Sequence, residues 1–223
     1  MRYELMYQPV FSVARIMLEN GESIRAEPGA MMTMSANVEL QSKAGGGLGK
    51  MLGRMMGGES LFQSTYTATG GPGEVLLVPA GPGDILPMPL QNQSIMVTSG
   101  CYLAGDTALD FQTQANMRGF FGGEGLFVIR IAGTGLLLLS AFGAIHPIQL
   151  QPGQPYIIDS GHVVAYNEGM QMEVRRASRG LLGSLTSGEG FVFCFTGPGT
   201  VYTQTRTPMG FGQFISPFVA RGG

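Results

Sequence analysis

A motif of glycine, glutamate and a small residue, followed by an apolar pair, occurs three times in the chain at equal spacing. The copies are Gly58-Glu59-Ser60-Leu61-Phe62, Gly123-Glu124-Gly125-Leu126-Phe127 and Gly188-Glu189-Gly190-Phe191-Val192, with the glutamates 65 residues apart in both intervals. Two further markers recur in the same order around it. Upstream, Leu18 to Ile24, Leu90 to Ile95 and Leu150 to Tyr156 lead into Pro28-Gly29-Ala30-Met31, Ser99-Gly100-Cys101-Tyr102 and Ser160-Gly161-His162-Val163. Downstream, Gly71-Pro72-Gly73, Gly133-Thr134-Gly135 and Gly197-Pro198-Gly199 each precede an apolar run. Three markers in one order describe one supersecondary unit used three times, which must be recognised before any single element is assigned.

The segments between the markers are short, apolar and rich in β-branched or aromatic residues. They are Glu74 to Val78, Phe127 to Ile131, Leu136 to Leu139, Tyr156 to Ile158, Phe191 to Phe195 and Val201 to Thr205. Such runs bounded by glycine read as strands of a sandwich or roll, because βαβ units need helices of about 10–15 residues between strands. The expectation is an all-β protein of one compact body. Three repeats, at about 1–84, 85–148 and 149–223, are arranged around a pseudo-threefold axis. Glycine at fixed turn positions supplies positive φ. Gly29, Gly100 and Gly161 are therefore expected to anchor the repeats structurally. Helical periodicity is confined to Leu48, Met51, Leu52, Met55 and Met56, with Lys50 and Arg54 on another side, and a shorter echo at Leu181, Leu182 and Leu185. Gly71-Pro72-Gly73 and Gly81-Pro82-Gly83 do not open a helix and read as hairpin turns rather than phosphate cradles.

Composition removes several classes. With 44% hydrophobic and 13% charged residues, the chain is not disordered. Its 36 glycines follow no three-residue period, which excludes collagen. A net charge of −2 gives no footprint for DNA, and no strip of basic residues interleaved with aromatics points to RNA. The N-terminus lacks the pattern of a signal peptide, so a cytoplasmic location is expected. The uncharged stretch between Arg130 and Asp159 has an apolar core of 15 residues interrupted by glycines, too short for a spanning helix, and reads as two buried strands.

No catalytic constellation stands out. His146 and His162 are the two histidines, and His162 occupies a repeat position held elsewhere by Ala30 and Cys101. A position that accepts Ala, Cys and His reads as packing, so neither a metal nor a cofactor is expected. Cys101 and Cys194 sit among apolar or small neighbours and read as free buried thiols. No nucleophile elbow, P-loop or C-x-x-C motif is present. Glu59, Glu124 and Glu189 are expected to anchor their repeats by accepting backbone N–H groups, or by pairing with Arg54, Arg118 and Arg179 upstream. A cation or ligand site is the alternative. The Lys50/Arg54 segment with its methionine face reads as core or oligomer packing, with peripheral membrane contact as the alternative. Arg175, Arg176 and Arg179 read as a solvated basic face.

The Gly-Glu triplets, the segment Glu27-Pro28-Gly29-Ala30-Met31 and the glycine/methionine stretch resemble the altered-inheritance-of-mitochondria family across nearly the whole chain. The resemblance implies a fold similar to the tryptophan RNA-binding attenuation protein, a short variant of the double-stranded β-helix prone to ring-like assembly. Mitochondrial relatives are linked to inner-membrane organisation. The resemblance carries no catalytic residue and, being one of fold, no RNA function. The expected function is that of a non-enzymatic, self-assembling scaffold or interaction module, a homo-oligomer of three subunits or a multiple. The alternative is a binding protein for a small ligand or single-stranded RNA at repeat or subunit interfaces.

Overall fold

In the computed structural model, residues 1–42, 63–113, 128–176 and 191–219 are described. They form an all-β body of seventeen strands with one short α-helix. After β1 (Arg2–Met6), a first set runs β2 (Val13–Leu18), β3 (Ser23–Ala26), β4 (Met31–Met34), β5 (Val38–Ser42), β6 (Ser64–Ala68) and β7 (Gly73–Leu77). A second set comprises β8 (Ile85–Thr98), β9 (Tyr102–Asp106), β10 (Asp110–Thr113) and β11 (Val128–Ser140). A third comprises β12 (Ile145–Leu150), β13 (Pro155–Asp159), β14 (Val163–Asn167), β15 (Gln171–Arg176), β16 (Phe191–Thr196) and β17 (Gly199–Gln204), and α1 (Pro208–Ile215) follows.

One set of antiparallel ladders occurs three times. In the first set β2 and β4 pair with β7, while β3 and β5 pair with β6. In the third, β12 and β14 pair with β17, while β13 and β15 pair with β16. The second set draws the same pattern with longer strands. The start of β8 and all of β9 pair with the end of β11, and the end of β8 and β10 pair with its start. Even the irregularity is reproduced. The ladder that follows each marker glycine skips one residue, at Met32, Leu103 and Val164. A bulge bends its strand and re-aims a side chain. These ladders establish equivalent pairing; the pseudo-threefold axis is a separate matter.

In several strands apolar residues recur at every second position, so one face turns inward. The burial alternates along β2, β6 and β7, as a half-buried strand requires. The buried residues fall into three clusters. The first is built around Ile16, Ile24, Tyr66 and Leu77, the second around Ile95, Ile129, Ile131 and Leu139, and the third around Tyr166, Phe193, Phe195 and Val201.

Sequence and structure part at several elements. Of the two strands expected at 127–131 and 136–139, residues 128–131 and 136–139 belong to one continuous β11 that runs through Gly133-Thr134-Gly135 with a register shift there, and residue 127 lies outside the described residues. Gly71-Pro72-Gly73 is not a hairpin turn, because it carries the chain from β6 in one sheet to β7 in another. Gly81-Pro82-Gly83 links the first set to the second. Helix α1 went unread in the sequence, although Thr207-Pro208 is an N-cap followed by proline at the first helical position. The Lys50/Arg54 segment and its echo at 181–185 lie outside the described residues.

Candidate functional site

The surfaces where the three sets meet are built from the marker turns. At the first junction, β9 of the second set pairs with β3 of the first, through Ile24↔Asp106, Arg25↔Gly105 and Ala26↔Ala104. The Glu27 N–H donates to the Leu103 carbonyl at 2.8 Å. The Arg25 guanidinium donates to three carbonyls, those of Asp106 at 3.3 Å, Thr107 at 2.5 Å and Leu109 at 2.5 Å. It also lies over the Phe111 ring, 5.0 Å from its centroid. The Tyr102 hydroxyl returns a bond to the Arg25 carbonyl at 3.0 Å. Leu103 and Ala104 thereby enter the hydrophobic cluster of the first set.

At the second junction, β14 of the third set pairs with the end of β8, through Ala165↔Val97, Tyr166↔Met96 and Asn167↔Ile95. Glu168 closes it, accepting from Arg130 Nε at 2.6 Å and from the Ser94 hydroxyl. The Arg130 guanidinium and the Ser94 hydroxyl hold the Glu168 carboxyl below its usual range. Val164 and Ala165 enter the cluster of the second set, as Leu103 and Ala104 enter that of the first. The first and second cores are thus each completed by the bulged strand of the following set.

Between the sets, three equivalent residues are arrayed at the strand entries. Phe11 and Gly143 each form a parallel bridge with Gly83. The Ser12 N–H donates to the Gly83 carbonyl at 3.1 Å, while the Asp84 N–H donates to Gly143 at 2.9 Å and the Gly143 N–H to Pro82 at 3.0 Å. Gly83 uses its own carbonyl toward Phe11 and its neighbours' groups toward Gly143. These point to opposite edges of a strand. The second set is therefore flanked by the first and the third.

The outer ends of this array have no counterpart. By its place in the ladders, β4 corresponds to β9 and β14, yet among the described pairings it meets only β7. Likewise β13 corresponds to β3 and the end of β8, and it meets only β16. Where Leu103 and Val164 are 0% exposed, Met32 is 56% exposed. Where Ile24 and Ile95 are 0% and 2% exposed, Tyr156 is 42% exposed, and Ile157 beside it is 66%. Separately, an open cleft of about 340 Å³ beside the link from the first set to the second is lined by Phe11, Val78, Pro79 and Pro82, with Phe11 70% exposed.

Of the anchoring residues read from the sequence, Gly29 and Gly100 have φ of +88° and +84°, a backbone that glycine adopts without strain. Gly161 differs: it sits in a single turn of 3-10 helix, where its N–H donates to the Asp159 carboxylate at 2.9 Å. Glu59, Glu124 and Glu189 lie outside the described residues, as do Arg54, Arg118 and Arg179. His162 Nδ1 donates to the Gln204 carbonyl at 2.7 Å, and His146 is an exposed residue of β12. Among the described residues no group of three or more His, Cys, Asp or Glu is placed to hold a metal.

Both cysteines are free, Cys101 buried and Cys194 half-buried. Burial, with the nearby Glu27 carboxylate as a smaller cause, pushes the Cys101 thiol up to about 12. The thiolate is the reactive form. Cys101 is therefore expected to resist alkylation in the native protein at pH 8 and to react fully in denaturant. Mass spectrometry after timed labelling checks this, and prompt native modification of Cys101 would contradict the burial. Glu27 itself is held above the usual carboxylate range by burial.

Known proteins carry the same architecture. A crystal structure of a Streptococcus pyogenes protein superposes with a TM-score of 0.84 at 30% identity, covering 98% of this chain and 99% of that one. An uncharacterised protein of Streptococcus pyogenes serotype M6 is 34% identical over 215 residues, spanning 92% of this chain and 86% of that protein. The family model described as mitochondrial biogenesis AIM24 matches residues 3–206, from the first strand to just beyond β17. With its markers, ladders and both junctions inside the matched region, the chain belongs to the mitochondrial biogenesis AIM24 family.

Proposed function

We propose that this protein is a non-enzymatic, self-assembling β scaffold, a homo-oligomer of three subunits or a multiple, working in the cytoplasm. The observation that carries this is the exposure of apolar strands at both ends of the array. Unpaired, apolar strand edges invite pairing with another chain, and proteins that remain single blunt them with charge, proline or a covering element. Along β4 the residues are Met31-Met32-Thr33-Met34, with no charge among them. Apart from Leu40, the other large exposed apolar residues lie near the termini, among them Tyr7, Phe11, Phe214 and Phe218. Apolar surface of this kind marks contact sites.

No described helix is long and apolar enough to cross a membrane. A second reading, binding of a small ligand, draws on the cleft beside Phe11. That cleft has no charged lining residue, so it favours an apolar ligand over RNA. Light scattering coupled to size exclusion tests the main reading. At micromolar concentration the mass is expected at a multiple of the 23.6 kDa chain, three being the first expectation. A mass of one chain would overturn it.

A further inference from the structure

We infer that β4 of one copy pairs antiparallel with β13 of a second copy, repeating between chains the junction that the chain already forms twice within itself. This rests on the self-assembly reading and specifies its interface. The two internal junctions agree residue by residue. Counting from the bulge, Ala104 and Ala165 are equivalent, and each faces the residue three positions before its marker glycine, Ala26 before Gly29 and Val97 before Gly100. Carried to the open ends, the same register sets Thr33 opposite Ile158, Met34 opposite Ile157 and Ser35 opposite Tyr156.

Three independent observations agree with this pairing. First, the residues it would cover are the ones left bare: Met32, Met34, Tyr156 and Ile157 are all exposed, at 39% or more. Second, a core is missing its contribution. The first hydrophobic cluster takes in Leu103 and Ala104 of the second set, and the second takes in Val164 and Ala165 of the third. The third cluster draws on Met96 and Val128 of the second set but has no residue from a bulged strand beyond Val163 and Tyr166 of its own. Met32 is the equivalent of Leu103 and Val164, and the second copy would place it there. Third, the array does not return on itself where its direction is visible. Phe11 and Gly143 flank Gly83 on opposite edges, so the free edges of the first and third sets face away from the second. The contact is heterologous, so its repetition gives a ring where the rotation closes and a filament where it does not.

Cross-linking distinguishes this pairing from its competitors. Directly opposed residues on antiparallel strands have Cβ atoms about 4.5–5.5 Å apart, within reach of a disulfide. Ile157 also faces Cys194 across β16, so all variants carry Cys194→Ala to remove that competing partner. Chains with Met34→Cys alone and chains with Ile157→Cys alone are mixed and oxidised, then separated without reductant. The expected result is a covalent dimer in the mixture, at twice the chain mass, absent from either variant by itself. Ile157→Arg, at an exposed site where folding is not at stake, is expected to reduce the assembled mass to that of one chain with an unchanged melting profile of the isolated subunit. A disulfide that forms only within a chain carrying both cysteines, at monomer mass, would show the array closing on itself and overturn the inference. An oligomer by light scattering that neither cross-links nor responds to Ile157→Arg would also overturn it, while leaving the self-assembly reading intact. A single-chain mass for the unmodified protein would remove both.

Discussion

Replacing Gly83 with alanine is expected to destabilise the protein by about 3 kcal/mol or more, at the upper end of what overpacking costs. A Cβ at this position would lie 1.6 Å from the Ala141 carbonyl oxygen and 2.8 Å from its carbon. Both are backbone atoms, so no side chain can swing aside. Gly83 is also the centre of the three bridged strand entries, hydrogen-bonded through opposite edges. Ala141 follows β11 directly and its N–H donates to the Asp84 carbonyl at 3.0 Å, so relief requires opening the end of the β8–β11 ladder and shifting the strand entries bridged at Gly83. For a chain of this size a loss of about 3 kcal/mol lowers the melting temperature by roughly 6–12 °C. Gly212 in α1 is the control, since a Cβ there meets nothing within 4 Å. Gly212→Ala should leave the melting temperature unchanged or slightly raised, given alanine's helix preference. Calorimetry of the two variants side by side decides the matter. A Gly83→Ala protein melting with the wild type would mean that the close approach is absent.

Arg25→Ala is expected to be nearly as damaging, at about 3 kcal/mol, by a different route. The guanidinium satisfies the Asp106, Thr107 and Leu109 carbonyls, which all belong to one turn of the neighbouring set. Hydrogen bonds to a charged donor are worth about 1.5–3 kcal/mol each when buried, and partial exposure here reduces the sum. All three bonds come from one nitrogen, Nη2, so a lysine ammonium can replace part of the hydrogen bonding, but it lacks the planar group that lies over the Phe111 ring. Methionine retains an apolar stem but neither the guanidinium over the Phe111 ring nor any of the hydrogen bonds. The expected order of stability in urea is Arg, then Lys and Met, then Ala. Equal stability of the Arg and Lys proteins would show that charge alone holds the turn.

Much of this architecture is legible in the glycines. The marker turns at Gly29 and Gly100 fall where the ladders change partner. The junctions between sets are harder to read. They appear in the sequence only as apolar runs without alternation, Cys101-Tyr102-Leu103-Ala104 and Val163-Val164-Ala165-Tyr166, which signal strands covered on both faces. Periodicity alone cannot separate such a run from any buried segment. The contrast with Met32-Thr33-Met34, where the remaining copy of that strand carries methionine in place of the buried Leu103 and Val164, becomes informative only once the bulges are aligned. β11 was divided because glycine usually ends a strand, whereas here Gly133 and Gly135 accommodate a register shift within one. The turn at Gly81-Pro82-Gly83 has hairpin chemistry but serves as a link, because the strands on either side belong to different units. The candidate site followed the same rule. Residue chemistry pointed to the glutamates, which lie outside the described residues, while the exposed edges are defined by what pairs with their equivalents, and no single residue type encodes that.

The presence of two junctions inside one polypeptide separates folding from concentration. Joining successive units by a short link such as Gly81 to Gly83 makes their encounter unimolecular, equivalent to holding them at millimolar or higher concentration. Dilution cannot undo those contacts. Any junction formed between copies obeys mass action instead and weakens as the protein is diluted. A chain built of three linked units therefore keeps its two internal junctions at any expression level, and only the contact at its ends can respond to how much of the protein is made.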